Sequence, residues 1–192
     1  MVSTPEAAEP APLESPNDAE LIARIAEGDG AAFGVLAERL SPLLKRVLLR
    51  LGLEPAEVED VGQETLVKLW HGSSSFRGGS SVSTWACRIA INQGISLLRS
   101  PRRRTADLPL GLAVEGPERE IARRELAAEV RAAVLALTPA LRAVVILREF
   151  EGFSYREMAQ ALEIPIGTVM SRLNEARSRL RRNLRLAVEG SE

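Results

Sequence analysis

The chain has 192 residues, of which 45% are hydrophobic and 27% charged, and its formal net charge is −1. That length holds one domain or two small ones, and the composition is that of an ordinary water-soluble globular chain. One cysteine, Cys87, and one histidine, His71, exclude an internal disulfide, a cysteine zinc cluster and histidine-based metal sites or triads within one chain.

Residues 1 to 17 are rich in Pro, Ala and Glu and read as a disordered acidic tail, with Glu6, Glu9 and Glu14 and no base. The tail lacks the basic region and apolar core of a secretory signal, and no run in the chain approaches the ~18 apolar residues of a membrane span. A reduced cytoplasm is the expected location. Asp18 is the predicted cap of a first helix carrying Leu21, Ile22 and Ile25. Gly28-Asp29-Gly30 is a turn. A long helical pattern follows, with Phe33, Leu36, Leu40, Leu43, Val47 and Leu51 on one side, ending at Gly52. Pro42 marks a kink or a break in it. Pro55 opens a third helix reaching about Trp70, with Val58, Val61, Leu66, Leu69 and Trp70 apolar. His71 to Ser83 is a Gly- and Ser-rich loop. Ser83 or Thr84 then caps a fourth helix that stops before Pro101 and turns Trp85, Ile89, Ile95 and Leu98 inward.

Residues 101 to 117 hold three prolines and two glycines without a sustained period and read as a linker. A second helical set begins near Glu118, restarts at Pro139 behind a Thr138 cap, and ends around Gly152. No strand alternation of useful length occurs, and aromatics are only 4%, which favours Leu- and Ala-packed helices. The expected fold is all-α: two small helical domains, at 18–100 and 118–187, joined by the linker, with a short tail at 188–192.

The stretch from Gly152 to Arg182 has the layout of a DNA-binding helix-turn-helix. Ser154 and Glu157 form a capping box, and Tyr155, Met158, Ala159 and Leu162 share one face of the helix they open. Glu163-Ile164-Pro165 breaks that helix, since Pro165 disfavours α geometry at Ile164. A second helix starts near Ile166, with Val169, Leu173, Ala176 and Leu180 as its buried stripe and Thr168, Ser171, Arg172, Glu175 and Arg179 outward. Small polar groups at the N-terminal end followed by arginines suit the major groove. Arg172, Arg177, Arg179, Arg181, Arg182 and Arg185 face one acid, Glu175, in this stretch, a density that neutralises several phosphates and makes binding salt-dependent. An amphipathic helix pair with a solvated arginine face is the blander alternative.

Two segments carry a family resemblance. VEDVGQETLVKLWHGSSSFRGGSSVSTWACRIAINQGISLLR, residues 58–99, resembles the core-binding and promoter-melting domain of bacterial RNA polymerase sigma factors. LTPALRAVVILREFEGFSYREMAQALEIPIGTVMSRLNEARSRLRRNL, residues 137–184, resembles the −35 element-binding domain of the same family, with P-I-G-T-V-M-S-R-L-x-x-A-R its most specific pattern. With no third domain between them, the resemblance is to the short extracytoplasmic-function group of the sigma-70 family.

The resemblance implies an initiation factor that docks on core RNA polymerase, reads −35 and −10 elements and helps melt the −10 region, under control of an anti-sigma factor. It carries binding to the coiled coil of the polymerase's largest subunit onto Asp60, Gln63, Glu64 and Lys68. A merely solvated helix face is the alternative for that patch. It carries −10 contact onto Phe76, Arg77, Ser80, Ser81, Trp85, Arg88, Asn92 and Gln93; for Trp85 a core role stands beside it. An asparagine where Asn92 stands helps bind an extruded base in the family, and unstacked bases gain ~1–3 kcal/mol from aromatic stacking. Arg99, Arg102, Arg103 and Arg104 either hold phosphates or keep the segment soluble. The −35 contacts fall on Arg156, Thr168, Met170, Ser171, Arg172, Asn174, Glu175 and Arg177.

Departures matter. Ser96 stands where relatives often have aspartate, and Met170, Asn174 and Glu175 stand where many have arginine or aromatics, so the family's −35 preference does not transfer. Glu175 can accept from a cytosine amino group and Asn174 can pair with adenine, or both can face water. No cofactor, metal or Walker-type glycine loop is expected, and the chain itself is expected to catalyse nothing. Two rival readings are a duplex-binding regulator independent of polymerase and a helical adaptor that never meets DNA. Cys87 reads as buried packing rather than a redox sensor.

Overall fold

The computed structural model describes residues 16–100 and 118–189, with side chains over 16–100 and 126–184. The acidic tail before Pro16, the linker 101–117 with Arg102, Arg103 and Arg104, and the side chain of Arg185 lie outside the described residues. Among the described residues all regular structure is helical, the all-α architecture that the sequence predicts.

Helix α1 (Asp18–Ala26) buries Leu21, Ile22 and Ile25. Its cap is Asn17, not Asp18: the Asn17 side chain accepts the Glu20 N–H at 2.9 Å, and the Glu20 carboxylate accepts the Asn17 N–H at 3.0 Å. Asp29 caps helix α2 (Gly30–Leu51) through the Ala32 N–H at 3.0 Å. That bond, with Arg24 beside it, holds the Asp29 carboxyl below its ordinary pKa. Pro42 neither breaks nor ends α2. Its missing N–H is tolerated because Leu36 and Leu40 before it, and Leu44, Val47, Leu48 and Leu51 after it, are all buried. Leu44 and Leu48, which the predicted stripe omits, are fully buried as well, whereas Phe33 and Leu43 are half-buried. Gly52 ends α2 with φ +95°, the left-handed geometry a glycine adopts without strain.

Helix α3 (Pro55–Gly72) buries Val58, Val61, Thr65 and Leu69 and runs into a 3-10 turn at Ser73–Ser75, so the predicted loop shrinks to residues 76–81. Helix α4 (Val82–Arg99) is capped by Ser81, not Ser83 or Thr84. Thr84 is itself buried, and the Ser81 hydroxyl meets both its N–H at 3.0 Å and its hydroxyl at 2.7 Å. Gly94 faces α2: a Cβ there would sit 2.8 Å from a Leu51 methyl.

Helix α5 (Glu118–Leu135) is followed by α6 (Pro139–Val145), where Thr138 has cap geometry but makes no side-chain cap bond. α6 widens into a π-turn at Ile146–Phe150, where the sequence pattern predicts plain helix. Helices α7 (Tyr155–Leu162) and α8 (Ile166–Glu189) close the chain.

One contiguous apolar core joins α1–α4 to α6–α8. Polar contacts rivet the join. The Glu151 side chain, 4% exposed, takes Arg46 at 3.0 Å and Arg50 at 2.7 Å, both from α2. Buried Arg142 donates to the carbonyls of Leu51, Leu135 and Leu137, bridging the C-terminal ends of α2 and α5, where a cation is favoured.

Candidate nucleic-acid interface

The helix-turn-helix is built by local chemistry. Ser154 accepts the Glu157 N–H at 3.3 Å, and the Glu157 carboxylate takes the Ser154 N–H at 2.8 Å and hydroxyl at 2.7 Å. Those bonds, the hydroxyl first, hold the Glu157 carboxyl below the ordinary glutamate range. On α7 the buried residues are Met158 and Ala161; Tyr155, Ala159 and Leu162 are half-buried. Glu163 turns the corner in left-handed geometry, φ 53°, as Pro165 requires the helix to end.

α8 buries Val169, Leu173 and Ala176, as the sequence stripe predicts, with Leu180 half-buried. Its outward ridge is Gly167, Ser171, Asn174 and Ser178, all exposed. Met170 at 49% and Ile166 at 45% exposure form one flank; Thr168, Arg172, Glu175 and Arg179 form the other. Two of the predicted cations are already engaged. Arg177 donates twice to Glu149 on the π-turn, at 2.7 and 3.2 Å, which raises its pKa further and staples α8 to its own domain. Arg179 donates to Glu175 at 2.6 Å. Arg156, predicted as a −35 contact, is exposed on α7.

In the N-terminal half, Phe76 stacks on Trp85 with centroids 5.0 Å apart and planes 26° from parallel. Trp85 is 8% exposed and wedged against Gly72, where a Cβ would lie 2.9 Å from its ring, so it supports Phe76 as a core anchor. Beside them opens a cavity of about 360 Å³ lined by Phe76, Arg77, Ser80, Trp85, Arg88 and Gln160, among others. Arg77 is exposed and Ser80 half-exposed at its rim. Ser81, predicted to touch DNA, spends its hydroxyl on the α4 cap. Gln93 points inward: its Oε1 lies 3.4 Å from the buried Thr65 hydroxyl, and its Nε2 is buried without a bond. Arg88 and Asn92 remain at the surface of α4, where both face Glu163 of the C-terminal half, at 3.6 and 3.3 Å. Gln160 donates to the Gly79 carbonyl at 2.7 Å and roofs the cavity.

On α3, Asp60, Gln63, Glu64 and Lys68 are all exposed on one side of the helix, opposite buried Val61, Thr65 and Leu69. Gln63 bonds Glu59 at 3.1 Å and Lys68 pairs with Glu64 at 2.8 Å, so the patch is ordered by i,i+4 contacts and stays acidic in sum, with Glu59, Asp60 and Glu64 against Lys68. Cys87 is fully buried, and burial pushes its thiol up to about 12.

Together these features define a helical protein of the helix-turn-helix DNA-binding class. The description "Sigma-70 region 2" matches residues 36–105, and "Sigma-70, region 4" matches residues 127–180. The RNA polymerase sigma-H factor of Pseudomonas aeruginosa is 33% identical over 178 residues, covering 86% of this chain and 92% of that protein. The ECF RNA polymerase sigma-E factor of Escherichia coli strain K12 is 32% identical over 177 residues, covering 85% and 92%. Among solved structures, CnrH in complex with the cytosolic domain of CnrY superposes with a TM-score of 0.68 at 28% identity, covering 88% of this chain and 97% of that one. The sigma factor RpoE of Bartonella quintana, crystallised with the anti-sigma factor NepR, superposes with a TM-score of 0.64 at 26% identity, covering 80% and 96%. The chain belongs to the sigma-70 family of RNA polymerase sigma factors, in its extracytoplasmic-function group. It directs promoter-specific initiation by RNA polymerase. No helix among the described residues is long and apolar enough to cross a membrane.

Proposed function

We propose that residues 18–100 dock on core polymerase and hold the melted −10 element, that residues 118–187 hold the −35 element, and that 101–117 ties the two together. The chain contributes no catalytic group; phosphodiester chemistry belongs to the polymerase, and the site of action is the cytoplasm. The observation that carries this reading is the pairing of two surfaces in one chain: an exposed helix-turn-helix face, and the exposed Asp60, Gln63, Glu64 and Lys68 face of α3. A regulator that only binds duplex operators needs the first and has no use for the second.

For the −10 element, Phe76 on its Trp85 support, with Arg77, Ser80 and Arg88 around the cavity and Asn92 one turn further along α4, supplies a stacking face, cations and an amide for an extruded base. Ser81 and Trp85 act there as positioning residues, and Gln93 through the packing of α4 on α3. For the −35 element, the ridge of α8 enters the major groove while Arg156, Arg172 and the arginines beyond hold phosphates. Linking two weak contacts raises the effective concentration of each for the other. In the arrangement described, Glu163 engages Arg88 and Asn92, so that contact must open before both elements are held. CnrH was captured with the cytosolic domain of CnrY and the RpoE of Bartonella quintana with the anti-sigma factor NepR, and an anti-sigma factor acting on this chain is the partner that these likenesses support.

The test is in vitro transcription with purified core polymerase on a library of promoter fragments. Start sites that appear only when this chain is added support the reading. Replacing Asp60, Gln63 and Glu64 with alanine should abolish association with core polymerase; retained association, or duplex binding without initiation, points to the polymerase-independent regulator.

A further inference from the structure

The first two turns of α8 carry an unusual surface for a helix entering DNA. Residues 166–171 contain no charged group, and the two large side chains among them, Ile166 and Met170, are 45% and 49% exposed. They are four residues apart and thus share one flank of the helix. Nothing among the described residues covers them, although Val169 between them is fully buried. The cation next along that flank, Arg177, is spent on Glu149 at 2.7 and 3.2 Å. The one arginine in the first two turns, Arg172, lies on the opposite flank with Thr168. The ridge between the flanks begins with Gly167 and Ser171, and a Cβ at Gly167 would meet nothing within 4 Å, so the helix can seat deeply.

Major-groove edges offer few apolar features. Guanine shows two acceptors, adenine an acceptor and a donor, cytosine a donor, and thymine alone adds a methyl group. A guanidinium fork for guanine is absent from this flank, whereas two uncharged, flexible apolar groups are present. We infer that Ile166 and Met170 read the C5-methyl groups of thymines in the −35 element, making them specificity-determining residues. This rests on the assignment of α8 to the −35 element and adds the base chemistry that its N-terminal flank selects. Arg172, on the other flank, supplies phosphate affinity and not this selection.

The experiment uses the full chain with core polymerase and promoter fragments selected by in vitro transcription. Each thymine of the selected −35 element, on either strand, is replaced by deoxyuridine, which removes only the methyl. With the unaltered chain, one or two replacements should lower initiation about fourfold each, the loss of one buried methyl of ~0.8 kcal/mol. Met170→Ala, or Ile166→Ala at the neighbouring base, should bring initiation from the thymine template down to the level of the uracil template, so that the two become equal. Arg172→Ala should weaken both templates alike and keep their ratio. Unchanged initiation from every uracil template, a selected −35 element without thymine on either strand, or a thymine preference that survives both alanine variants would each overturn the inference while leaving the sigma function intact. Failure to initiate at all would overturn the assignment beneath it, and this inference with it.

Discussion

The Asn92 amide donates to the Glu163 carboxylate at 3.3 Å, across 71 positions of sequence, and the same carboxylate lies 3.6 Å from Arg88. An acid at the corner of the helix-turn-helix thus occupies two groups proposed for the −10 element, in the position an anionic nucleic acid would take.

Glu163→Ala frees that surface. Both members of the Arg88 pair are well exposed, at 40% and 59%, so the loss in stability should stay below about 1 kcal/mol. Binding of a fluorescent single-stranded oligonucleotide carrying the selected −10 sequence should tighten by roughly two- to fivefold, the equivalent of such a contact. An unchanged dissociation constant would mean that Glu163 and DNA do not compete.

Glu151 behaves differently because its side chain is only 4% exposed while its partners Arg46 and Arg50 are 50% and 36% exposed. Removing a partner from a fully buried pair costs ~3–5 kcal/mol; with both arginines partly solvated, Glu151→Leu should cost about 1–3 kcal/mol in urea unfolding. A variant as stable as the parent would show that the halves are not held together through Glu151 in solution.

Gly94→Ala places a methyl 2.8 Å from Leu51 and 3.3 Å from Leu48. Alanine favours helix, but overpacking at the α2–α4 contact should dominate, lowering stability by about 1–3 kcal/mol. Gly62→Ala, where a Cβ would meet nothing within 4 Å, is the control and should be neutral or stabilising by up to ~1 kcal/mol. Equal effects at the two sites would contradict the tight crossing.

Cys87 is buried and its thiol is pushed up to about 12, chiefly by desolvation and then by Glu151. A folded pKa above the unfolded value of ~8.5 means the thiol favours the folded state fully below that pH. The contribution fades as pH rises from about 8.5 toward 12. At neutral pH a disulfide exchange reagent should label the native chain only as it unfolds, and Cys87→Ala should flatten the alkaline loss of stability. Rapid labelling of the folded chain would refute the burial.

The helix-turn-helix was legible from sequence because its signals are local: the Ser154–Glu157 box, Pro165 after the corner, and a buried stripe at helical spacing. The all-α architecture followed from the same periodicity. The cap of α4 was misplaced because residues 80–84 offer four hydroxyls, and only the burial of Thr84 selects Ser81. The resemblance alone assigns Gln93 to DNA, and its inward turn leaves no trace in the pattern because α4 lacks a clean polar face: Ala86, Cys87, Ala90, Ile91 and Gly94 are all buried, since α2, α3 and α7 pack around it. Contacts such as Arg46–Glu151, 105 positions apart, leave no periodic trace at all. The engagement of Arg177 by Glu149 was hidden for the same reason, since a run of arginines looks alike whether or not each has a partner.

The π-turn at Ile146–Phe150 has a mechanical meaning. Its wide winding sends Glu149 to Arg177 on the recognition helix and, two residues on, Glu151 to Arg46 and Arg50 on α2, with Phe150 between them under the Arg50 guanidinium at 4.7 Å. One short segment is therefore the fulcrum for both grips. The same turn of backbone anchors α8 on one side and α2 on the other, so a load on either helix is borne at one place in the chain.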